Sequence, residues 1–185
     1  HLFRTEFRKI TSVLGKFFGM EHLQTAEDLA SDTFLSAMET WPYKGIPQNP
    51  TAWLYQVAKN KARNYLQREK LLRNKILPQQ VHLLAQEPVE MPDLSHENIS
   101  DSQLQMFFAI CHPSIPVESQ VALALRILCG LGIDEIASAF LTNRETINKR
   151  LHRAKAKLKR EKVSIAVPAE KDLKARLDAV LATIY

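Results

Sequence analysis

The 185-residue chain is poor in glycine, with five, and in cysteine, with two. With so few glycines and no G-x-G-x-x-G, it has no phosphate-cradling turn of the dinucleotide-binding kind. Cys111 and Cys129 lie in apolar contexts and form no C-x-x-C, which excludes a disulfide framework and reads as reduced, buried thiols in a cytoplasmic protein. Cys111 and His112 are half of a metal-ligating set, but no second pair stands at ligand spacing, so no metal and no cofactor is expected. No apolar run reaches the length of a membrane span or of a signal segment, so no membrane partner is expected. Alternating apolar patterns never extend beyond a few residues, and the expected fold class is therefore all-α. No nucleophile, base and orienting partner converge, and no carboxylate pair has a catalytic setting, so the chain does not read as an enzyme.

Positive charge is also missing from long stretches. Residues 21–42 carry Glu21, Glu27, Asp28, Asp32 and Glu39 with no Lys or Arg, and residues 77–118 carry six acids and again no Lys or Arg. A chain that faces only nucleic acid has little use for two such blocks. Either one of them meets a second, basic partner, or both are solvated surface.

What is present is mostly helical pattern and localised cation. Apolar residues make up 45% of the chain, enough for real cores, and a pI near 9.3 points to a polyanionic partner. The densest signal is LTNRETINKRLHRAKAKLKR at 141–160. Thr142 and Glu145 stand at capping-box spacing, and Ile147, Leu151, Ala154 and Leu158 fall on one buried stripe. Arg144, Asn148, Lys149, His152, Arg153 and Lys155 remain on the other side. From 144 to 162 there are nine Lys or Arg against two Glu, a local charge of +7 that exceeds the +5 of the whole chain. An apolar helix at 117–130, a short helix at 133–140 and a turn at Leu141–Asn143 precede it. Together they describe a helix-turn-helix, whose second helix enters the major groove.

A second helical module precedes this one. Thr25 to Asp28 reads as another capped start, followed by a broad stripe of Ala26, Leu29, Ala30, Thr33, Phe34, Ala37, Met38 and Trp41, which leaves Glu27, Asp28, Asp32 and Glu39 displayed. A loop with three prolines, 42–50, leads to Asn49 as N-cap and Pro50 as the first residue of a helix to about 74. That helix packs Trp53, Leu54, Val57, Ala58, Ala62, Tyr65 and Leu66. Its outer face carries Gln56, Lys59, Asn60, Arg63, Asn64, Gln67 and Arg68, and cations, amides and nearby aromatics of this kind bind phosphates and stack on unpaired bases. Tyr65 is expected in the core, while Trp53 and Tyr55 are assigned to neither role. The expected organisation is a first module over 1–75, a flexible linker over 76–100, a helix-turn-helix module over 101–162, and an amphipathic helix opening within 163–185. The chain begins at His1 and ends in mid-pattern, and it reads as a piece of a longer one.

AEDLASDTF at 26–34, NPTAWLYQVAKNKARNYLQRE at 49–69 and DEIASAFLTNRETINKRLHRAKAKL at 134–158 resemble regions two and four of bacterial RNA polymerase sigma factors of the extracytoplasmic function group. Residues 99–141 resemble the subset with a C-terminal helical extension. The resemblance implies a promoter-specificity subunit whose partners are promoter DNA and core RNA polymerase, the latter through the clamp helices of the largest subunit and the flap of the second largest. It also implies regulation by an inhibitory partner or by the extension. The polymerase-docking region matches Glu27, Asp28, Asp32 and Phe34. The segment that opens the promoter and holds the downstream element as melted strand matches the 43–49 loop with Trp53, Lys59, Asn60, Arg63 and Asn64. The major-groove helix for the upstream element matches Arg144, Asn148, Lys149, His152, Arg153 and Lys155. The base that His152 reads is left unassigned, because its charge depends on pH. The alternative is a dimeric helix-turn-helix regulator that binds palindromic duplex, with the first module as dimerisation or sensing unit. Blocks of opposite charge further suggest a closed arrangement of the free protein, with the acidic 77–118 segment near a basic face.

Overall fold

A computed structural model describes residues 2–76 and 90–184, and among them there are helices and connections but no strands. The first module consists of α1 (Leu2–Phe18), α2 (Leu23–Lys44) and α3 (Pro50–Ile76), with a single 3-10 turn at Met20–His22 between the first two. Phe7, Ile10, Leu14, Ala26, Ala30, Leu54, Ala58 and Ala62 form its core. The alanines on α2 and α3 let these helices approach closely, since small side chains shorten the interaxial distance.

Helix α2 begins before the expected start. His22 precedes its first residue without a side-chain cap, and Thr25 and Asp28 lie inside it. The hydrophobic gain of burying Met20 and Leu23 extends the helical turn backwards, and it outweighs the unused cap. At the other end the helix runs through Pro42 to Lys44, where Gly45 at φ +80° stops it. Asn49 does cap α3, its Oδ1 accepting from the amide of Ala52 at 2.9 Å.

The second module consists of α4 (His96–Ile110), α5 (Val117–Ile127), α6 (Ile133–Ala139) and α7 (Arg144–Arg160), and α8 (Glu170–Ile184) follows it. Met106, Ile110, Leu123, Ile127, Ile136, Ile147 and Leu158 are fully enclosed in its core. Helix α4 starts earlier than expected, inside the stretch assigned to the linker. Ser95 caps it by accepting from the amide of Asn98, and Asp93 holds Ser95 through both its amide (2.9 Å) and its hydroxyl (2.8 Å). These bonds, backbone first, with weaker help from Lys59 and Lys16, hold the Asp93 carboxyl below the usual range. Residues 77–89 of the linker lie outside the described residues.

The two modules share their cores. Leu94 and Ile99 are buried among the first module's residues, and Met20 and Leu23 among the second's. Along α1, buried Thr11, Ser12 and Gly15 keep the side facing α4 small. A Cβ on Gly15 would stand 2.5 Å from the Met106 terminal methyl, so the glycine marks the close approach.

Candidate nucleic-acid interface

The turn that aims α7 is built from main-chain bonds. After α6, the amide of Thr142 donates to the carbonyl of Ala137 (2.9 Å) and that of Leu141 to Ser138 (3.1 Å), which is the Schellman pattern. It demands a left-handed residue, and Leu141 supplies it at φ +50°, almost fully exposed. Because the turn consumes the Thr142 amide, the cap falls one residue later than the sequence suggests. Asn143 Oδ1 accepts from the amide of Thr146 at 2.8 Å, and Thr142 with Glu145 forms no capping box. A carboxylate returning to a helix start does occur in α6, where the Gly132 amide donates to Glu135 at 2.8 Å.

On α7 the buried stripe is Ile147, Leu151, Ala154 and Leu158, as the spacing predicts. Asn148, Lys149, His152 and Arg153 are exposed together around one shallow depression. Arg144 is exposed and pairs with Asp134 at 3.4 Å, and Lys149 pairs with Glu145 at 2.6 Å one turn away. Both pairs are solvent-exposed, so they cost little to exchange for phosphate. Lys155 differs from the other five. It is turned towards the first module, where its ammonium is bonded to Glu27 and to Gln24 Oε1, the latter at 2.9 Å.

On α3, Arg63 and Asn64 are exposed while Lys59 and Asn60 are half-buried. The Asn60 side-chain Oδ1 accepts from Gln56 and Arg63, each at 3.3 Å, so these side chains are ordered along one strip. The aromatics are mainly structural. Trp53 packs edge-on against Trp41 at 5.5 Å between centroids, and Tyr65 against Phe18 at 5.4 Å. The Tyr55 hydroxyl donates to the buried Glu6 carboxylate at 2.6 Å, and burial together with that bond pushes its pKa up.

On α2, Asp28, Asp32 and Glu39 are exposed as expected, but Glu27 is not: it is 3% exposed, and Phe34 is buried too. The apolar stripe explains the difference. Glu27 precedes Ala30 and Phe34 by three and seven residues, so it belongs to the packed face rather than the displayed one. Its carboxylate meets Lys155 and, at 3.4 Å, the Arg126 guanidinium. Leu2, Phe3, Phe34, Met38, Trp41 and Ile46 line an apolar groove.

Sequence reasoning passed over Arg126, Gln24, Glu6 and the pair Arg4–Glu135. Arg126 left a signal. It is the sole charge within VALALRILCG, and a cation in an apolar helix must find a partner. Here it has three: Glu27, the Leu131 carbonyl (3.1 Å) and the Phe7 ring (5.9 Å). Among the described residues, no helix is long and apolar enough to cross a membrane.

Comparison with known proteins agrees with this division. The family model for Sigma-70 region 2 matches residues 2–71, and that for Sigma-70 region 4 matches residues 111–158. Two regions of one family, in order and spanning well over half of the chain, define its class, a helical protein of the sigma-70 kind. The chain belongs to the sigma-70 family and is of its extracytoplasmic function type. An uncharacterized protein of Rhizobium meliloti (strain 1021) is 33% identical over 167 residues, which cover 89% of this chain and 39% of that relative. The chain thus spans about two fifths of the length of the curated relative it matches. No solved structure matches.

Proposed function

We propose that this chain is the promoter-specificity part of a transcription-initiation complex: it binds core RNA polymerase and directs it to two promoter elements. The observation that carries this reading is the exposure of Asn148, Lys149, His152 and Arg153 on one side of a capped, basic second helix of a helix-turn-helix. Asn suits adenine and Arg or Lys suits guanine in the major groove, while the other cations hold phosphates. Arg144, paired only at the surface, and Lys155, when released from Glu27, complete the upstream-element set.

The first module supplies the rest. Helix α2 offers the apolar groove at Phe34 and, on its exposed side, Asp28 and Asp32, and protein–protein interfaces combine apolar and charged contacts of this kind. This is the proposed seat of the largest subunit's clamp helices, with Glu27 joining it when freed. The flap of the second largest subunit would meet the second module. Lys59, Asn60, Arg63 and Asn64 form a polar strip for a melted downstream strand, bounded by Trp53. Such a subunit binds and positions, and it catalyses nothing.

Run-off transcription with core polymerase on a selected promoter tests the reading. Stimulation by the chain, reduced by Asp28→Lys through weaker polymerase binding, is the expected result. No stimulation together with no binding to core polymerase would overturn it, and a two-fold symmetric footprint by a dimer would put the conventional regulator in its place.

A further inference from the structure

On the flank of α7 opposite Lys155, a cleft of about 580 Å³ opens between that helix and the start of α5. That is the size of a small-molecule site. Four cations of α7 line it, Lys149, Arg150, Arg153 and Lys157, against a single acid, Glu118. The protein itself neutralises them poorly. Lys149 and Lys157 pair with Glu145 and Glu161 one turn away, the second at 3.6 Å, and among the described residues Arg150 and Arg153 have no ion pair. Arg150 lies over the Phe140 ring at 5.0 Å, and its enclosed Nη1 has no hydrogen-bond partner among the described residues.

The start of α5 faces these cations with further donors. No side chain caps the helix at Pro116, and among the described residues the first-turn amides of Val117 and Glu118 have no acceptor. Beside them Ser119 is only 8% exposed, yet its hydroxyl has no hydrogen-bond partner among the described residues. Buried hydroxyls are seldom left so. Helix amides, a recessed hydroxyl and guanidinium groups that line one space are the donor set that holds a phosphate. The rest of the lining is apolar: Ile115, Pro116 and Ala154 form a wall that an inorganic anion would not use. A duplex suits the cleft less well, because a stiff rod carries its phosphodiesters on a convex surface and Ser119 is recessed.

We propose that this cleft binds a nucleoside polyphosphate, its phosphates on Ser119, the α5 amides and the α7 cations, its nucleoside against Ile115, Pro116 and Ala154. Occupancy takes Lys149 and Arg153, two of the cations assigned to the promoter duplex, so nucleotide and duplex compete. That competition rests on the reading given under Proposed function; the binding itself does not.

The test uses the whole chain in metal-free buffer, with equilibrium dialysis of ATP, inorganic tripolyphosphate and adenosine as probes. ATP should bind most tightly, roughly tenfold better than tripolyphosphate despite its lower charge, as burial of some tens of Å² of apolar surface requires. Tripolyphosphate binding as tightly as ATP would overturn the assignment. Ser119→Ala should weaken ATP about tenfold, the effect of losing a hydrogen bond to a charged group. Arg150→Gln with Lys157→Gln should weaken it further. Lys159→Gln with Arg160→Gln removes the same charge from exposed positions outside the cleft, and should change ATP binding less than about threefold, because solvent and salt screen such charges. Equal losses in the two double variants would overturn the site. If Arg150→Gln loses helical content, Lys157→Gln alone takes the place of the pair, with the same direction and a smaller loss. Promoter-duplex titrations then read the competition: ATP should weaken duplex binding by the unaltered chain, and Ser119→Ala, with unchanged duplex affinity, should need about tenfold more ATP for the same effect. ATP binding without displacement of duplex would overturn the competition, and with it the placing of duplex on Lys149 and Arg153. Absence of ATP binding would overturn the site and leave polymerase-dependent transcription intact.

Discussion

Replacing Leu23 by alanine separates the forces that hold the two modules together. Leu23 opens α2 in the first module, yet its side chain is 1% exposed and packs in the core of the second, with Met20 beside it at 5%. Truncating an enclosed leucine removes its transfer free energy and leaves a void, about 3 kcal/mol or more together. The ionic contacts compare poorly with that. Arg4 and Glu135 are about half-exposed, and such a pair contributes between about 0 and 1 kcal/mol. Glu27 is enclosed, but the side chains of Lys155 and Arg126 keep 18% and 26% exposure. Desolvation therefore offsets much of their attraction, and removing one partner should cost at or below the low end of the roughly 3–5 kcal/mol seen when a fully buried pair is broken. Because Met20, Leu94 and Ile99 are buried across the seam as well as Leu23, apolar contact supplies most of the closure, and the ion pairs fix its register. Leu23→Ala should lower the thermal midpoint by about 5–10 °C for a chain of this size. In guanidinium, the distance between labels at Gln67→Cys and Ser164→Cys, both exposed positions, in a Cys129→Ser background should open at lower denaturant than helical content is lost, whereas the two transitions of the unaltered chain coincide. Salt at 1 M, where the Debye length is about 3 Å, should not reproduce this by itself. A destabilisation under about 1 kcal/mol, or coincident transitions in the variant, would refute the shared core as the principal restraint.

Three further outcomes follow from single side chains. Asn148→Ala, assayed by promoter selection with reconstituted polymerase, should relax preference at one base pair by about 1–3 kcal/mol if the amide contact is bidentate, and equal losses on specific and random duplex would contradict that role. Leu141→Gly should stabilise the chain by about 0.5–1 kcal/mol in denaturant titration, because glycine adopts the left-handed conformation freely and nothing is lost from a side chain 95% exposed; a loss would show that Leu141 has a contact of its own. Tyr55→Phe should cost about 1–3 kcal/mol by thermal unfolding, since Glu6, 4% exposed, would lose its phenol donor and keep Lys9 at 2.9 Å, and a change under about 0.5 kcal/mol would refute a role for that bond.

The sequence made the helix-turn-helix legible because its signals are local. The rhythm of four, three and four residues through Ile147, Leu151, Ala154 and Leu158 depends only on the geometry of one helix, and Asn49–Pro50 marks a helix start with its own cap. Competition between neighbours was not legible. Thr142 and Asn143 both cap helices well, and what decides between them is the preceding turn, which claims the Thr142 amide. Thr25 loses its capping role to the remote core that buries Leu23. The burial of Glu27 was partly legible, since its spacing from Ala30 and Phe34 placed it on the packed stripe, although its charge argued for the surface. Only the fold shows why that charge is tolerated, by bringing Arg126 and Lys155 from a module a hundred residues away. The closed arrangement was foreseen from charge, but its contacts are different ones. Of the acidic 77–118 segment, Asp93 feels Lys59 and Lys16, while the closest ionic contacts between the modules come from α1 and α2.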